Sequence, residues 1–113
     1  MNIKLLSLSK NEDFKSILTG KKISNKYLTI FFKRLSDKSN KNLNISFVAQ
    51  KKLGNAVKRN KIKRRIKMIM TQISKIIKIN LNYSYLIIAK KTIINAKFFD
   101  IKDTILKDYK KIK

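Results

Sequence analysis

The chain has 113 residues with 43% apolar content, enough for one domain of ordinary size and a real core. Twenty-nine Lys and Arg against six acids give a net charge of +23, a self-repulsion that points to a polyanion partner, nucleic acid ahead of an anionic membrane surface. Cysteine and histidine are absent, which excludes disulfides, thiolate metal sites and imidazole chemistry and fits a reducing, cytoplasmic setting.

The N-terminal "MNIKLLSLSKNED" runs from a short apolar stretch straight into acids without a small-residue cleavage site, so no targeting segment is expected. No apolar run approaches the roughly 18 residues of a membrane span. Ser9 and Glu12 then form an S-x-x-E capping box. Phe14, Ile17 and Leu18 repeat at helical spacing, which by pattern alone reads as core packing. Gly20 is expected as the left-handed stop of this first helix.

"KYLTIFFKR" (26–34) is β-branched and aromatic and predicts a strand; residues 28–33 fit equally as two short strands around a bend. After the polar "LSDKSNKN", Leu43, Ile45, Phe47 and Ala49 alternate with Asn44, Ser46 and Val48, a second, half-buried strand. The two are expected to pair as an antiparallel hairpin. Gly54 and Asn55 break the chain before a helix reaching about Lys78, with Ile62, Ile66, Ile69, Ile73, Ile76 and Ile77 on one stripe. Arg59, Lys63 and Lys67 run along one flank, Lys61 and Arg65 along the other, and Arg64 points nearly opposite the stripe.

"SYLIIAKK" (84–91) lacks polar alternation at its centre, so a strand covered on both faces is expected. A final amphipathic helix, Phe98 to Lys111, carries Phe98, Ile101, Ile105, Tyr109 and Ile112 on its stripe, with Asp100 and Asp103 near its start and lysines at its end. The order is α-β-β-(β)-α-β-α in one domain, 1–113. It predicts an α+β fold, a small two-layer sandwich whose mixed sheet has about four strands and three helices. The strand–helix–strand unit can pair its strands in parallel, and pattern rules favour a right-handed crossover.

Catalytic groups are missing. The six acids are Glu12, Asp13, Asp37, Asp100, Asp103 and Asp108, with none from residue 38 to residue 99. General acid–base work and metal-assisted hydrolysis both need convergent carboxylates or imidazoles. The polypeptide alone is therefore expected to be non-catalytic and to hold no metal.

The informative stretch is "KKLGNAVKRNKIKRR" (51–65), which holds three of the four arginines. The bias toward Lys, Ile and Asn is what AT-rich coding produces, so lysines alone carry less meaning than the clustered arginines. A solvated helix face, a nucleic-acid surface, a basic membrane helix and a calmodulin-type target all fit a basic segment. Nine cations between Lys51 and Lys67 without an acid for i,i+4 pairing favour a polyanion over a solvated face. An Ile/Met stripe without interfacial aromatics weakens the membrane reading. Position between two strands weakens the target-helix reading. Within nucleic acids, guanidinium–phosphate pairing and the amide of Asn60 suit structured RNA, and Gly54 allows close approach at a helix start; DNA remains open.

"KKLGNAVKRNKIKRRIK" resembles the signature of the protein subunit of bacterial ribonuclease P. "LSKNEDFKSIL-TGKKISNKYLTIFF" is similar to that family's first helix and following strand, and "YLIIAKK" to its last strand, so nearly the whole chain is covered in order. The resemblance implies a sandwich of the kind shared with a ribosomal-protein domain, with a left-handed crossover. It implies one protein per catalytic RNA, with precursor tRNA as substrate and Mg2+ bound mainly by the RNA. The holoenzyme, an endoribonuclease, would remove the 5′ leader hydrolytically.

Carried over, contact with the catalytic RNA falls to Arg59, Asn60, Lys61, Lys63, Arg64, Arg65 and Lys67. The leader cleft falls to Phe14, Leu18, Phe31, Gln50, Lys51, Lys52, Asn55, Lys90 and Lys91. Four positions depart from the pattern: Lys61 stands where Arg is common, Leu18 where a second Phe is usual, Met68 where Glu is usual, and Gln50 where a basic or small residue is usual. A ribosomal or nucleoid-type nucleic-acid binder is the alternative from another class.

Overall fold

The computed structural model describes residues 5–6, 11–34 and 43–112, with backbone alone for 5, 6, 11–14 and 43. Ten elements follow in order. They are β1 (Leu5–Leu6), α1 (Asn11–Leu18), β2 (Lys21–Ser24), β3 (Leu28–Arg34), β4 (Leu43–Val48), a 3-10 turn (Lys51–Leu53), α2 (Ala56–Ile76), β5 (Tyr83–Ala89), a second 3-10 turn (Lys91–Asn95) and α3 (Phe98–Lys111). The strands form one mixed sheet in the order β1-β4-β5-β3-β2. The fold is α+β, as expected, with four longer strands, a two-residue fifth and three helices.

The expected hairpin does not form. Strand β5 lies between β3 and β4, antiparallel to β3 (Ile30↔Ile87) and parallel to β4 (Phe47↔Ile87). The actual hairpin joins β3 to β2 (Ile23↔Ile30), a strand the sequence reading left unassigned. Residues 28–34 form one strand rather than two. Strand β5 is covered on both faces, as its unbroken apolar run predicts, with Ser84, Tyr85, Leu86 and Ile87 all buried.

The alternation along each strand sorts the sheet into two faces. Leu28, Ile30 and Phe32 of β3, Ile45 of β4, and Tyr85, Ile87 and Ala89 of β5 join the main core. There they meet Ile62, Ile66, Ile69, Met70 and Ile73 of α2 and Ile101, Ile105 and Tyr109 of α3. On the opposite face Phe31 and Leu86 share a row with Ser46. Helix α1 packs on that face, where Lys33 Nζ donates to Ser16 Oγ at 2.7 Å, and Ile17 and Leu86 are each 2% exposed. We call these the α2/α3 face and the α1 face.

Three local expectations change. Ser9, half of the expected capping box, lies outside the described residues, as does the 35–42 connection and the side chain of Glu12. Leu18 is 48% exposed while its neighbour Ile17 is buried, so the sheet takes the other apolar residue of the pair. Helix α2 stops at Ile76, which is 57% exposed and leaves the stripe.

Gly20 has no left-handed backbone; among the described residues Gly54 alone has a positive φ. Gly20 is needed for space instead: a Cβ there would sit 2.6 Å from the Phe32 carbonyl oxygen and 3.1 Å from Lys33 Cβ. Glycine thus lets the chain turn from α1 into β2 against the backbone of β3. Gly20→Ala should lower stability by about 1–3 kcal/mol through overpacking, read as a lower urea midpoint with an unchanged m-value. An unchanged midpoint would mean that β2 can shift freely away from β3.

Candidate nucleic-acid interface

The basic helix starts where strand geometry ends. Gly54, at φ 138°, turns the chain after the first 3-10 turn, and the stem of Lys58 lies over it. Asn55 is the N-cap, its side-chain Oδ1 accepting from Lys58 N–H at 2.9 Å. An Asn cap satisfies one of the orphan donors of a helix start. Asn55, expected at the leader, therefore has this structural task as well.

The buried stripe of α2 fixes which way its charges face. With Ile62, Ile66, Ile69, Met70 and Ile73 in the core, Asn60, Lys61, Lys63, Arg64 and Lys67 are exposed. Arg59 and Arg65 are half-buried at the margins. Arg59 Nε is buried and has no hydrogen-bond partner among the described residues. Arg65 is different: its Nη2 donates to the Ala96 carbonyl at 2.9 Å, tying α2 to the segment before α3.

Among the described residues the ion pairs are Lys107–Asp103 at 3.2 Å and Lys111–Asp108 at 3.9 Å, both within α3. Among the described residues the cations of α2 have no carboxylate partner. A hollow of about 230 Å³ beside this helix is lined by Leu53, Lys58, Lys61, Ile62, Arg65 and Ile94, adding Lys58 to the basic surface. The helical spacing of Lys58 and Lys61 could have marked it in the sequence.

The leader candidates are spread from α1 across the α1 face to the end of the sheet where β4 and β5 stop. Phe31 is half-buried there, in register with Lys22 and Leu86. The next row, Ser24–Thr29–Ile88–Val48, passes from polar to apolar across the sheet and is half-buried except at the exposed Ser24. The parallel register of Val48 with Ile88 brings the ends of β4 and β5 together, so Gln50, Lys51 and Lys52 leave the sheet beside Lys90 and Lys91. Gln50, Lys51, Lys52 and Lys91 are exposed, and Lys90 is half-buried. Leu18 offers an exposed apolar side chain from α1. Phe14 lies in α1, and its side chain is outside the described part. Lys22 belongs to the same face; it becomes visible only once β2 is paired, because "KKIS" holds a single apolar residue.

No cluster of His, Cys, Asp and Glu able to hold a metal occurs among the described residues, and no helix there is long and apolar enough to cross a membrane.

Such a sheet, with a basic helix on one face and exposed lysines where β4 and β5 end, defines a class: small basic α+β proteins with a surface suited to nucleic acid. The chain matches the Ribonuclease P family over residues 3–113 and belongs to that family, whose enzyme serves tRNA 5′ processing through a catalytic RNA. It is 34% identical over 107 residues to the "Ribonuclease P protein component" of Mycoplasma mycoides, covering 94% of each chain. It is 31% identical to that of Listeria monocytogenes, covering 88% of this chain and 81% of the relative.

Among solved structures, the Staphylococcus aureus RNase P protein superposes with a TM-score of 0.74 at 27% identity, covering 94% of this chain and 93% of that one. The Thermotoga maritima protein has the same fold, with a TM-score of 0.79 at 23% identity and coverage of 95% and 97%.

The two neighbouring arginines should separate on substitution. Arg65→Ala should cost about 1.5–3 kcal/mol of stability, the range for a hydrogen bond to a charged group. Arg64→Ala should stay within about 0.5 kcal/mol of the parent. Paired urea melts decide this; equal losses would deny the Arg65–Ala96 tie its structural part.

Proposed function

We propose that this chain works in the cytoplasm as the protein subunit of a ribonuclease P ribonucleoprotein, a single RNA-binding domain with one copy per catalytic RNA. Helix α2 grips that RNA through Arg59, Asn60, Lys61, Lys63, Arg64 and Lys67, with Arg65 closing the margin. The observation that carries this reading is the unpaired basic face of α2, held outward by a fully apolar stripe. Guanidinium groups pair bidentately with phosphate oxygens, and the positive end of the helix dipole adds to the attraction.

The 5′ leader of precursor tRNA lies across the α1 face, between α1 and the ends of β4 and β5. Phe14, Leu18 and Phe31 offer apolar surface to bases, while Lys51, Lys52, Lys90 and Lys91 meet phosphates and Gln50 and Asn55 offer polar edges. Stacking on side chains tolerates any base, which suits leaders of varied sequence. With two RNAs brought together, the protein's cations also screen their mutual repulsion. The phosphodiester hydrolysis, supported by Mg2+ bound mainly by the RNA, lies outside the polypeptide.

Reconstitution with the catalytic RNA and precursor tRNA at low magnesium should release the leader faster than RNA alone. Arg59→Ala and Arg64→Ala should weaken the protein–RNA complex. Each lost phosphate contact should lower the slope of log K against log salt by about 0.7–0.9; unchanged affinity and slope would remove α2 from the interface. Leu18→Phe should restore a stacking surface at an exposed site and raise precursor affinity by about fivefold, the low end of the roughly 1–3 kcal/mol known for base–aromatic stacking. Filter binding to precursor and mature tRNA reads it, and an unchanged ratio would move the leader away from α1.

A further inference from the structure

The β2–β3 turn closes in a way that leaves one carbonyl spare. Lys26 and Tyr27 form a two-residue loop, yet no non-glycine residue has a positive φ, so the mirror-image turns usual in such hairpins are not used. Asn25 takes their place. Its N–H donates to the Leu28 carbonyl at 2.9 Å, and its Oδ1 accepts from Tyr27 N–H at 2.8 Å and Leu28 N–H at 3.0 Å. In an ordinary hairpin the Leu28 N–H would go to the Asn25 backbone carbonyl. Here that carbonyl accepts from Lys90 Nζ at 2.6 Å, and the same ammonium donates to Ser24 Oγ at 2.6 Å.

The other end of the Asn25 amide reaches across the sheet. Its Nδ2 donates to Asp108 Oδ2 at 2.7 Å, and Asp108, in α3, is 6% exposed. Asn25 therefore links a buried carboxylate on the α2/α3 face to a lysine on the α1 face. The turn is held further by Lys90 N–H to the Tyr27 carbonyl at 2.8 Å and by the Thr92 hydroxyl to the Lys26 carbonyl.

We propose that the Asn25–Asp108 pair is a positioning latch for Lys90, fixing its ammonium at the cleft edge for a phosphate of the single-stranded leader. This rests on the leader assignment above. Lysine is a flexible point charge with three donors; two are engaged here, and the third is left for an anion. Ordering the stem before binding removes part of the entropy loss, worth about twofold to tenfold in affinity for a rotamer-rich side chain. A turn that served only the hairpin would need the three Asn25 bonds inside it and not the bond to a carboxylate on α3.

The test uses the reconstituted holoenzyme and compares affinity for precursor and mature tRNA. Lys90→Ala and Asn25→Ala should each lower the precursor preference about twofold to tenfold, and the double variant should fall no further than Lys90→Ala. Asn25→Asp keeps the turn acceptors but sets two carboxylates together, so it should lower the preference; combined with Asp108→Asn it should restore it. Catalytic-RNA affinity should not change in the swapped pair.

Nitrogen-15 NMR of the free protein should show slowly exchanging Lys90 ammonium protons in the parent and the swapped pair, and fast exchange in Asn25→Asp. Additive losses in the double variant, or no rescue by the swap, would overturn the latch. Fast exchange in the parent with a normal Lys90→Ala effect would sink the latch and spare the leader cleft. A protected ammonium with no Lys90→Ala effect would remove the leader cleft, and the proposal with it.

Discussion

Strand β5 is hydrogen-bonded along both edges, and most of what this protein can do follows from where that strand sits. It is the last strand in the sequence, but it occupies the middle of the sheet, between β3 and β4. The chain must therefore leave β4, travel the length of α2 and return before the sheet can close. That journey places α2 over the sheet with Ile62, Ile66, Ile69 and Ile73 inward. A buried lysine or arginine without a partner is strongly disfavoured, so the helix turns its charged positions outward or to its margins. The orientation of the basic surface is a by-product of sheet topology.

The same topology builds the second surface. The parallel pairing of β4 with β5 brings their C-terminal ends to one edge. There Gln50–Lys52 and Lys90–Lys91 emerge together, just before Asn55 caps α2. One edge thus feeds both the helix proposed to hold the catalytic RNA and the surface proposed to hold the leader. Charge is sorted as well: the ion pairs of the described residues lie within α3, and the cations between residues 51 and 67 stand unpaired with acids.

The helices were largely legible in the sequence because their apolar periods are long. The 98–111 stripe is borne out by Ile101, Ile105 and Tyr109, and β5 was legible from its unbroken apolar run. Strand order was not. Two strands joined by a polar connection look like a hairpin, and nothing local signals that a third will insert between them. Strand β2 was missed because an edge strand with one inward residue, Ile23, carries no pattern. Leu18 and Ile17 are adjacent, and a helix of eight residues is too short to fix its own phase; contact with β3 and β5 decides it. At the site, the clustered arginines marked the basic face of α2. Which cations were already committed inside the molecule, Arg65 to Ala96 and Lys90 to Asn25, depends on distant segments.

The unpaired face of α2 ties the lifetime of the chain to its assembly. Like charges along one helix oppose folding, and a ligand that binds only the folded state adds stability by mass action, about 2.7 kcal/mol at a hundredfold excess over its dissociation constant. Against a typical total of about 5–15 kcal/mol, that is a substantial part. A chain that holds RNA through that face would open less often, and meet proteases less often, than a free one.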